Sequence, residues 1–179
     1  MASVLVPLAQ GCEELEAVTV IDLLRRAGIE VVSAGLDNNN VKASRGVILV
    51  PDTDLDTALQ QDFDMVVLPG GLPGADHLDS DTRLRERIIK MAEKGRYVAA
   101  ICAAPKVLAS TGLLDNKKAT CYPGVLDAIG FKSEGSSVVE DTNIITSRGP
   151  GTAMDFALTL IEKLAGKKKR DEVEQGLVR

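Results

Sequence analysis

Short apolar runs and helical periodicities alternate along this chain. Val4 to Leu8 is an uninterrupted apolar run of the kind a strand buried on both faces requires, and a helical pattern from Glu13 to Ala27 follows it. Gly28 stops that helix beside Arg25 and Arg26, a basic pair suited to a helix carboxyl end. Glu30 to Ala34 is the next strand, so the first three elements predict a parallel, right-handed βαβ unit. Asn38-Asn39-Asn40 marks a turn, and the segments at Val41 and Val47 to Val50 predict an antiparallel hairpin at the sheet edge. Met65 to Leu68 is a further buried strand, ending in Pro69-Gly70-Gly71. From Thr82 to Lys94, Leu84, Ile88, Met91 and Ala92 share one helical face, and Gly95 ends the pattern. Tyr97 to Ile101 predicts a strand, with a helix resuming at Val107 and Leu108; strands near Ala119 to Cys121, Val138 to Val139 and Ile144 to Ser147 follow. The last long helix spans Thr152 to Leu164, with Met154, Ala157, Leu158, Ile161 and Leu164 as its buried stripe.

Strands alternating with helices predict an α/β fold with a doubly wound, mostly parallel sheet and helices on both faces. The length of 179 residues fits a single domain, 1–179, in which residues 168–179 form a charged helical extension beyond the core. Composition makes that core aliphatic, because the chain is 45% hydrophobic yet has no tryptophan. The net charge of −5, with Lys167 to Arg170 as the only basic cluster, argues against tight nucleic-acid binding. Three cysteines without paired spacing point to a reducing, cytoplasmic location rather than a disulfide framework. The start of the chain reads as a strand rather than a signal peptide, and no apolar run is long enough for a membrane span.

Ligands of doubly wound sheets bind beyond the carboxyl ends of the strands, and several such ends carry unusual residues. Cys102 lies between an apolar strand and a helix, followed by Ala103-Ala104-Pro105. A sharp turn there exposes the side chain, and the free N–H groups and dipole of the next helix favour thiolate. Residue type alone leaves a second reading open, since free cysteine is often a space-filling core residue. Gly70-Gly71 permits close backbone approach but is also a plain turn, without the spacing of a nucleotide-binding loop. Glu13 and Glu14 are accounted for by a helix dipole, whereas Glu16 lies one turn in. Arg148 and a glycine-rich turn precede the last helix.

Gly11-Cys12-Glu13-Glu14-Leu15-Glu16-Ala17-Val18, Ala43-Ser44-Arg45-Gly46, Val67-Leu68-Pro69-Gly70-Gly71, Ala99-Ala100-Ile101-Cys102-Ala103-Ala104-Pro105 and Thr146-Ser147-Arg148-Gly149-Pro150-Gly151-Thr152 together resemble the ThiJ/PfpI superfamily. The resemblance covers essentially the whole chain and is strongest to the branch of the Parkinsonism-associated deglycase and its bacterial relatives. It implies a flavodoxin-like fold and a homodimer. It also implies that Cys102 is a nucleophile oxidisable to sulfinic acid, that Glu16 is its general acid/base, and that the N–H groups of Gly71 and Ala103 flank the sulfur. Arg26 and Arg45 match arginines near the dimer interface and the oxidised cysteine. The implied activity is a cofactor- and metal-independent glyoxalase or deglycase acting on methylglyoxal, glyoxal or their early adducts. The alternative is a non-catalytic redox sensor and redox-regulated chaperone.

Departures from the wider superfamily narrow the expectation. Peptidase-like members carry histidine directly after the cysteine, where this chain has Ala103, and its single histidine, His77, reads as a solvated or capping residue. Tyr122-Pro123 stands where some close relatives have histidine before proline. Without that base, peptide hydrolysis is not expected. Ala43 and Val50 occupy positions that are cysteine in some relatives, so a redox role rests on Cys102, with Cys12 and Cys121 reading as spectators.

Overall fold

Parallel strands need a crossover between them, and here helices supply most of the returns. The computed structural model describes residues 1–179. Its strands are β1 (Ser3–Leu8), β2 (Glu30–Gly35), β3 (Val41–Lys42), β4 (Ile48–Leu49), β5 (Thr53–Asp54), β6 (Met65–Leu68), β7 (Tyr97–Ile101), β8 (Val138–Asp141) and β9 (Ile144–Ser147). The helices are α1 (Glu14–Arg26), α2 (Leu55–Ala58), α3 (Gly74–Ser80), α4 (Thr82–Glu93), α5 (Pro105–Ser110), α6 (Ala153–Ala165) and α7 (Lys167–Gly176). Seven strands form one sheet in the order β5-β2-β1-β6-β7-β9-β8, parallel except for β8 at the edge.

The sheet is covered on both faces, which is why its central strands are apolar throughout. Val4, Val6 and Leu8 pack with Leu24 of α1 and Phe156 and Leu160 of α6, while Leu5 turns to Leu84 and Ile88 of α4 and Leu108 of α5. These layers bring the carboxyl ends of β1, β6, β7 and β9 to one edge of the sheet, where the loops after each of them meet.

Several elements differ from the sequence reading. The hairpin forms, with Val41 opposite Leu49 and Lys42 opposite Ile48, but as a separate two-stranded sheet; the main edge belongs to β5, paired parallel to β2. Ala119 to Cys121 is not a strand, because both sides of β9 are already taken by β7 and β8. That segment instead sends the Thr120 N–H to Thr146 Oγ1 (2.9 Å). On α6 the buried residues are Ala153, Phe156, Ala157, Leu158, Leu160 and Ile161, so the expected Ala157, Leu158 and Ile161 are joined by Ala153, Phe156 and Leu160, with Leu164 partly buried against the core. Met154 falls outside this set and is 45% exposed. The short helices α2 and α3 carry too few turns to show a periodicity.

The charged extension also differs from expectation: it is the helix α7, packed on α6 rather than hanging free, with Val173 buried and Leu177 partly buried against the core. Val173→Ala is therefore expected to cost about 1 kcal/mol, the scale of truncating a buried aliphatic side chain at a core margin. Chemical denaturation would show this as a lower midpoint with an unchanged slope.

Candidate active site

Strand alternation would send residue 102 to the opposite layer from Ile101. Instead Cys102 adopts a left-handed φ of 64°, and its side chain packs in the same cluster as Ile101 and Cys12. A non-glycine residue in this region is strained and must be held there. Two hydrogen bonds do so: the Cys102 N–H donates to Ser147 O (3.0 Å), and Cys102 O accepts from the Tyr122 N–H (2.8 Å). Pro105 opens α5 immediately beyond, as its fixed φ and missing donor favour. The sulfur is thus presented by a rigid turn. Cys102 is only 8% exposed, so access is limited to small groups.

Glu16 reaches this point from the first turn of α1 and is fully buried. Its Oε2 accepts a hydrogen bond from the Gly70 N–H (2.8 Å), while Oε1 is buried without a well-aligned partner and the carboxyl group interacts with the Cys102 thiol. The N–H groups of Gly71 and Ala103 are directed at the same sulfur. Only glycine fits at the turn after β6. A Cβ on Gly70 would lie 2.6 Å from Cys102 Cβ and 2.8 Å from Glu16 Oε2, and one on Gly71, at φ 87°, would lie 2.4 Å from the Glu13 nitrogen.

Burial, only partly offset by the Gly70 N–H and the Cys102 contact, lifts the Glu16 carboxyl to about 7. Burial, then the charge and hydrogen bond of Glu16, pushes the Cys102 thiol up to about 12, against the Gly71 and Ala103 amides. The expectation of an intrinsically thiolate-prone cysteine is therefore corrected: beside an ionised Glu16, desolvation and like charge outweigh the turn amides. The two groups titrate as a pair. When Glu16 holds the shared proton, its repulsion vanishes, its O–H can donate to sulfur, and the two amides favour thiolate.

The remaining sequence candidates are dispersed. Glu13 caps α1, its Oε2 accepting from the Glu16 N–H (2.8 Å). Glu14, expected to be solvated, is buried and grips the hairpin turn through Ser44 Oγ (2.9 Å) and the Arg45 N–H (2.8 Å). Burial opposes its ionisation, but these bonds and those of nearby amides hold it below the ordinary carboxylate range. The Arg45 side chain is exposed. Arg26 sits at the far end of α1 from Glu16, paired with Asp22 (2.7 Å), so the fold does not bring it to Cys102 of its own chain. Arg148 is exposed and donates to Gly135 O (3.2 Å). His77 lies exposed on α3, lining a cavity of about 360 Å³ with Gln10, Asp37 and Asp81 rather than with Cys102. Cys121 packs in the opposite core layer from Cys102, whereas Cys12 shares its layer. Burial, followed by the Glu14 and Glu13 charges, raises the Cys12 thiol to about 12.

Sequence reasoning missed the Gly70 N–H bond to Glu16, the Glu13 cap and the Tyr122 and Ser147 clamps on Cys102. Only the Pro-Gly-Gly turn carried a local signal; the others depend on contacts between distant segments. A cavity of about 400 Å³ along α4 between Phe63, Arg87 and Lys94 does not include Cys102. We place the chemistry at Cys102 because a strained nucleophile, a buried carboxyl and two convergent amides meet there, a combination a roomier salt-bridged groove lacks. No group of three or more His, Cys, Asp or Glu side chains is placed to hold a metal ion, and no helix is long and apolar enough to cross a membrane.

Comparison with known proteins gives a consistent picture. Residues 2–163 match the family model described as the DJ-1/PfpI family. Protein dj-1beta of Drosophila melanogaster is 45% identical, over 98% of this chain and 96% of its own. A Caenorhabditis elegans protein named glutathione-independent glyoxalase DJR-1.2 is 35% identical, over 96% of this chain and 92% of its own. Among solved structures, oxidized Toxoplasma gondii DJ-1 superposes with a TM-score of 0.95 at 38% identity, covering 99% of this chain and 98% of that one.

Proposed function

Because this chain belongs to the DJ-1/PfpI family, we propose that it is a cysteine-dependent glyoxalase or deglycase converting α-oxoaldehydes, or their early adducts, to 2-hydroxy acids. The observation that carries this reading is the buried Glu16 carboxyl, raised to about 7 and joined to the Cys102 thiol beneath two N–H groups. A thiolate nucleophile, a proton carrier matched to neutral pH and an oxyanion site are what an intramolecular redox isomerisation requires. The nematode relative's name is consistent with it.

With methylglyoxal, the Cys102 thiolate attacks the aldehyde carbon, and the carbonyl electron pair moves onto oxygen beside the Gly71 and Ala103 N–H groups. Glu16 donates its proton to that oxygen, giving a hemithioacetal. The Glu16 carboxylate then removes the proton from the former aldehyde carbon and returns it to the neighbouring carbon. The former aldehyde carbon is oxidised to a thioester while the ketone carbon is reduced to an alcohol, the hydroxyl proton passing from the first oxygen to the second. Water cleaves the carbon–sulfur bond, releasing lactate and regenerating Cys102. The chemistry needs no glutathione, metal or nucleotide. Applied to hemithioacetals and aminocarbinols on proteins or nucleotides, it would be deglycation.

Glu16→Gln separates the two stages. The variant is expected to form the covalent methylglyoxal adduct at Cys102, visible by mass spectrometry, but to lose lactate formation by at least about 100-fold, the usual scale for a general acid/base. Stability provides a second readout. The Glu16 carboxyl, raised to about 7 by burial, lies above its ordinary value of 4.5. Its contribution is therefore fully present below pH 4.5 and is lost as pH rises to about 7. Glu16→Gln should remove this loss and be more stable than the parent at pH 8 by about 3 kcal/mol, with the advantage gone near pH 4. Denaturation at the two pH values measures it; wild-type lactate output in the variant would contradict the assigned role.

A redox-sensor and chaperone reading of the same cysteine has one observation in its favour, the resemblance to oxidized Toxoplasma gondii DJ-1. It predicts gain of two oxygen atoms at Cys102 on peroxide treatment without turnover of aldehydes. Homodimerisation belongs to the proposal as well. Leu15 and Val18 on α1 and Val47 and Ile48 on the hairpin expose apolar surface that a second copy could cover, close to Arg45.

A further inference from the structure

Glutamate is not a preferred helix N-cap; Ser, Thr, Asp and Asn are. Its use at position 13 is a local departure from helix stability of the kind functional positions show. The residue makes two contacts that converge on the site. Its carboxylate Oε2 accepts from the Glu16 N–H (2.8 Å), and its own N–H donates to Gly70 O (2.9 Å). In a trans peptide the carbonyl and the following N–H point in opposite directions, and the Gly70–Gly71 bond is trans. Holding Gly70 O on the Glu13 side therefore aims the Gly71 N–H at the Cys102 sulfur. The approach is close enough that a Cβ on Gly71 would strike the Glu13 nitrogen. The geometry points to Glu13 as the positioning residue of the site, holding the oxyanion donor of Gly71 and the proton carrier Glu16 in register with Cys102.

This assignment rests on the reading of Cys102 and Glu16 as the reacting pair. The titratable groups acting on Glu16 are Cys102 from the β7 turn, Glu13 from the helix cap and Cys12 from the loop before it. Cys12 is neutral near pH 7, its thiol being raised to about 12. The Glu13 charge adds to the burial that raises the Glu16 carboxyl, while Glu16 itself dominates the charge acting on Cys102. Negative charge at position 13 thereby favours the protonated form of Glu16, the form that places no like charge beside the sulfur.

The test is the pH dependence of Cys102 alkylation by iodoacetamide, located by mass spectrometry, in the parent protein, Glu13→Gln, Glu13→Ala and Glu13→Asp, with lactate formation and thermal unfolding in parallel. Glu13→Gln keeps an acceptor for the Glu16 N–H but removes the charge. It should slow alkylation near pH 7, the direction that loss of a charge raising the Glu16 carboxyl requires, at an unchanged Tm. kcat for lactate should fall with it and KM should not. Glu13→Ala should lower alkylation further and lower Tm as well, and Glu13→Asp, which keeps charge and cap, should restore the alkylation rate. An alkylation profile in Glu13→Gln identical to the parent's would overturn the assignment. Absence of lactate from the parent itself would count against the glyoxalase reading alone, because alkylation still reports the positioning.

Discussion

Cys102→Ser should abolish cofactor-free lactate formation, with a fall of at least about 10³-fold, while the protein stays folded. The exchange of sulfur for oxygen is nearly isosteric, and the bonds that hold the turn, from Cys102 N–H to Ser147 O and from Tyr122 N–H to Cys102 O, are backbone contacts that serine keeps. What changes is acidity. A carboxylate with a pKa of about 7 can exchange a proton with a thiol flanked by two N–H groups, but it is a poor base toward an alcohol. Cys12 does not substitute, since it lies across the Gly70-Gly71 turn from Cys102 and its thiol faces the charges of Glu14 and Glu13 without the Gly71 and Ala103 amides that flank Cys102. Lactate assays with circular dichroism on the same sample check both halves of this expectation.

Gly71→Ala should be the most damaging substitution outside the reacting pair, destabilising the protein by about 3 kcal/mol or more and removing activity. Two costs add. At φ 87° an alanine is strained by about 1–2 kcal/mol, and its Cβ would stand 2.4 Å from the Glu13 nitrogen and 2.7 Å from Gly11 O. All of these neighbours are backbone atoms, so no side chain can swing aside. Relief requires the turn after β6 to separate from the loop before α1, which moves the Gly71 N–H away from sulfur and breaks the Glu13 N–H bond to Gly70 O. Gly28→Ala is a fitting control, because its φ of 75° carries the same backbone strain while no atom lies within 4 Å of its Cβ. Denaturant unfolding of the two variants separates strain from collision.

The architecture was legible because each central strand is a continuous apolar run and each long helix an amphipathic one. Burial on two faces and on one face leave those signatures locally. The failures have equally local causes. Met154 fits a helical stripe as well as Phe156 does until the start of α6 at Ala153 sets which face meets the sheet. Ala119 to Cys121 has strand composition, but its pairing partner was already occupied, which no window of sequence can reveal. At the site, Cys102 was singled out by its place between a strand and a helix, the roles of Glu16, Gly71 and Ala103 came through a family resemblance, and the fold brings all four together. The left-handed φ of Cys102 was not legible, because the Tyr122 and Ser147 backbone groups that hold it belong to other segments, whereas a raised Glu16 carboxyl was expected once the resemblance placed it beside the cysteine. The thiolate expectation erred for the same reason: a helix start favours anion, but a carboxylate in the same pocket opposes it.

The most direct test of the account is multiple-turnover conversion of methylglyoxal to lactate by the purified protein without glutathione, metal or nucleotide. Lactate must be measured itself, because any exposed thiol consumes the aldehyde reversibly. The account predicts lactate in many-fold excess over protein, and its loss in Cys102→Ser and Glu16→Gln. Lactate no greater than the protein-free background, with Cys102 intact and reduced, would contradict it.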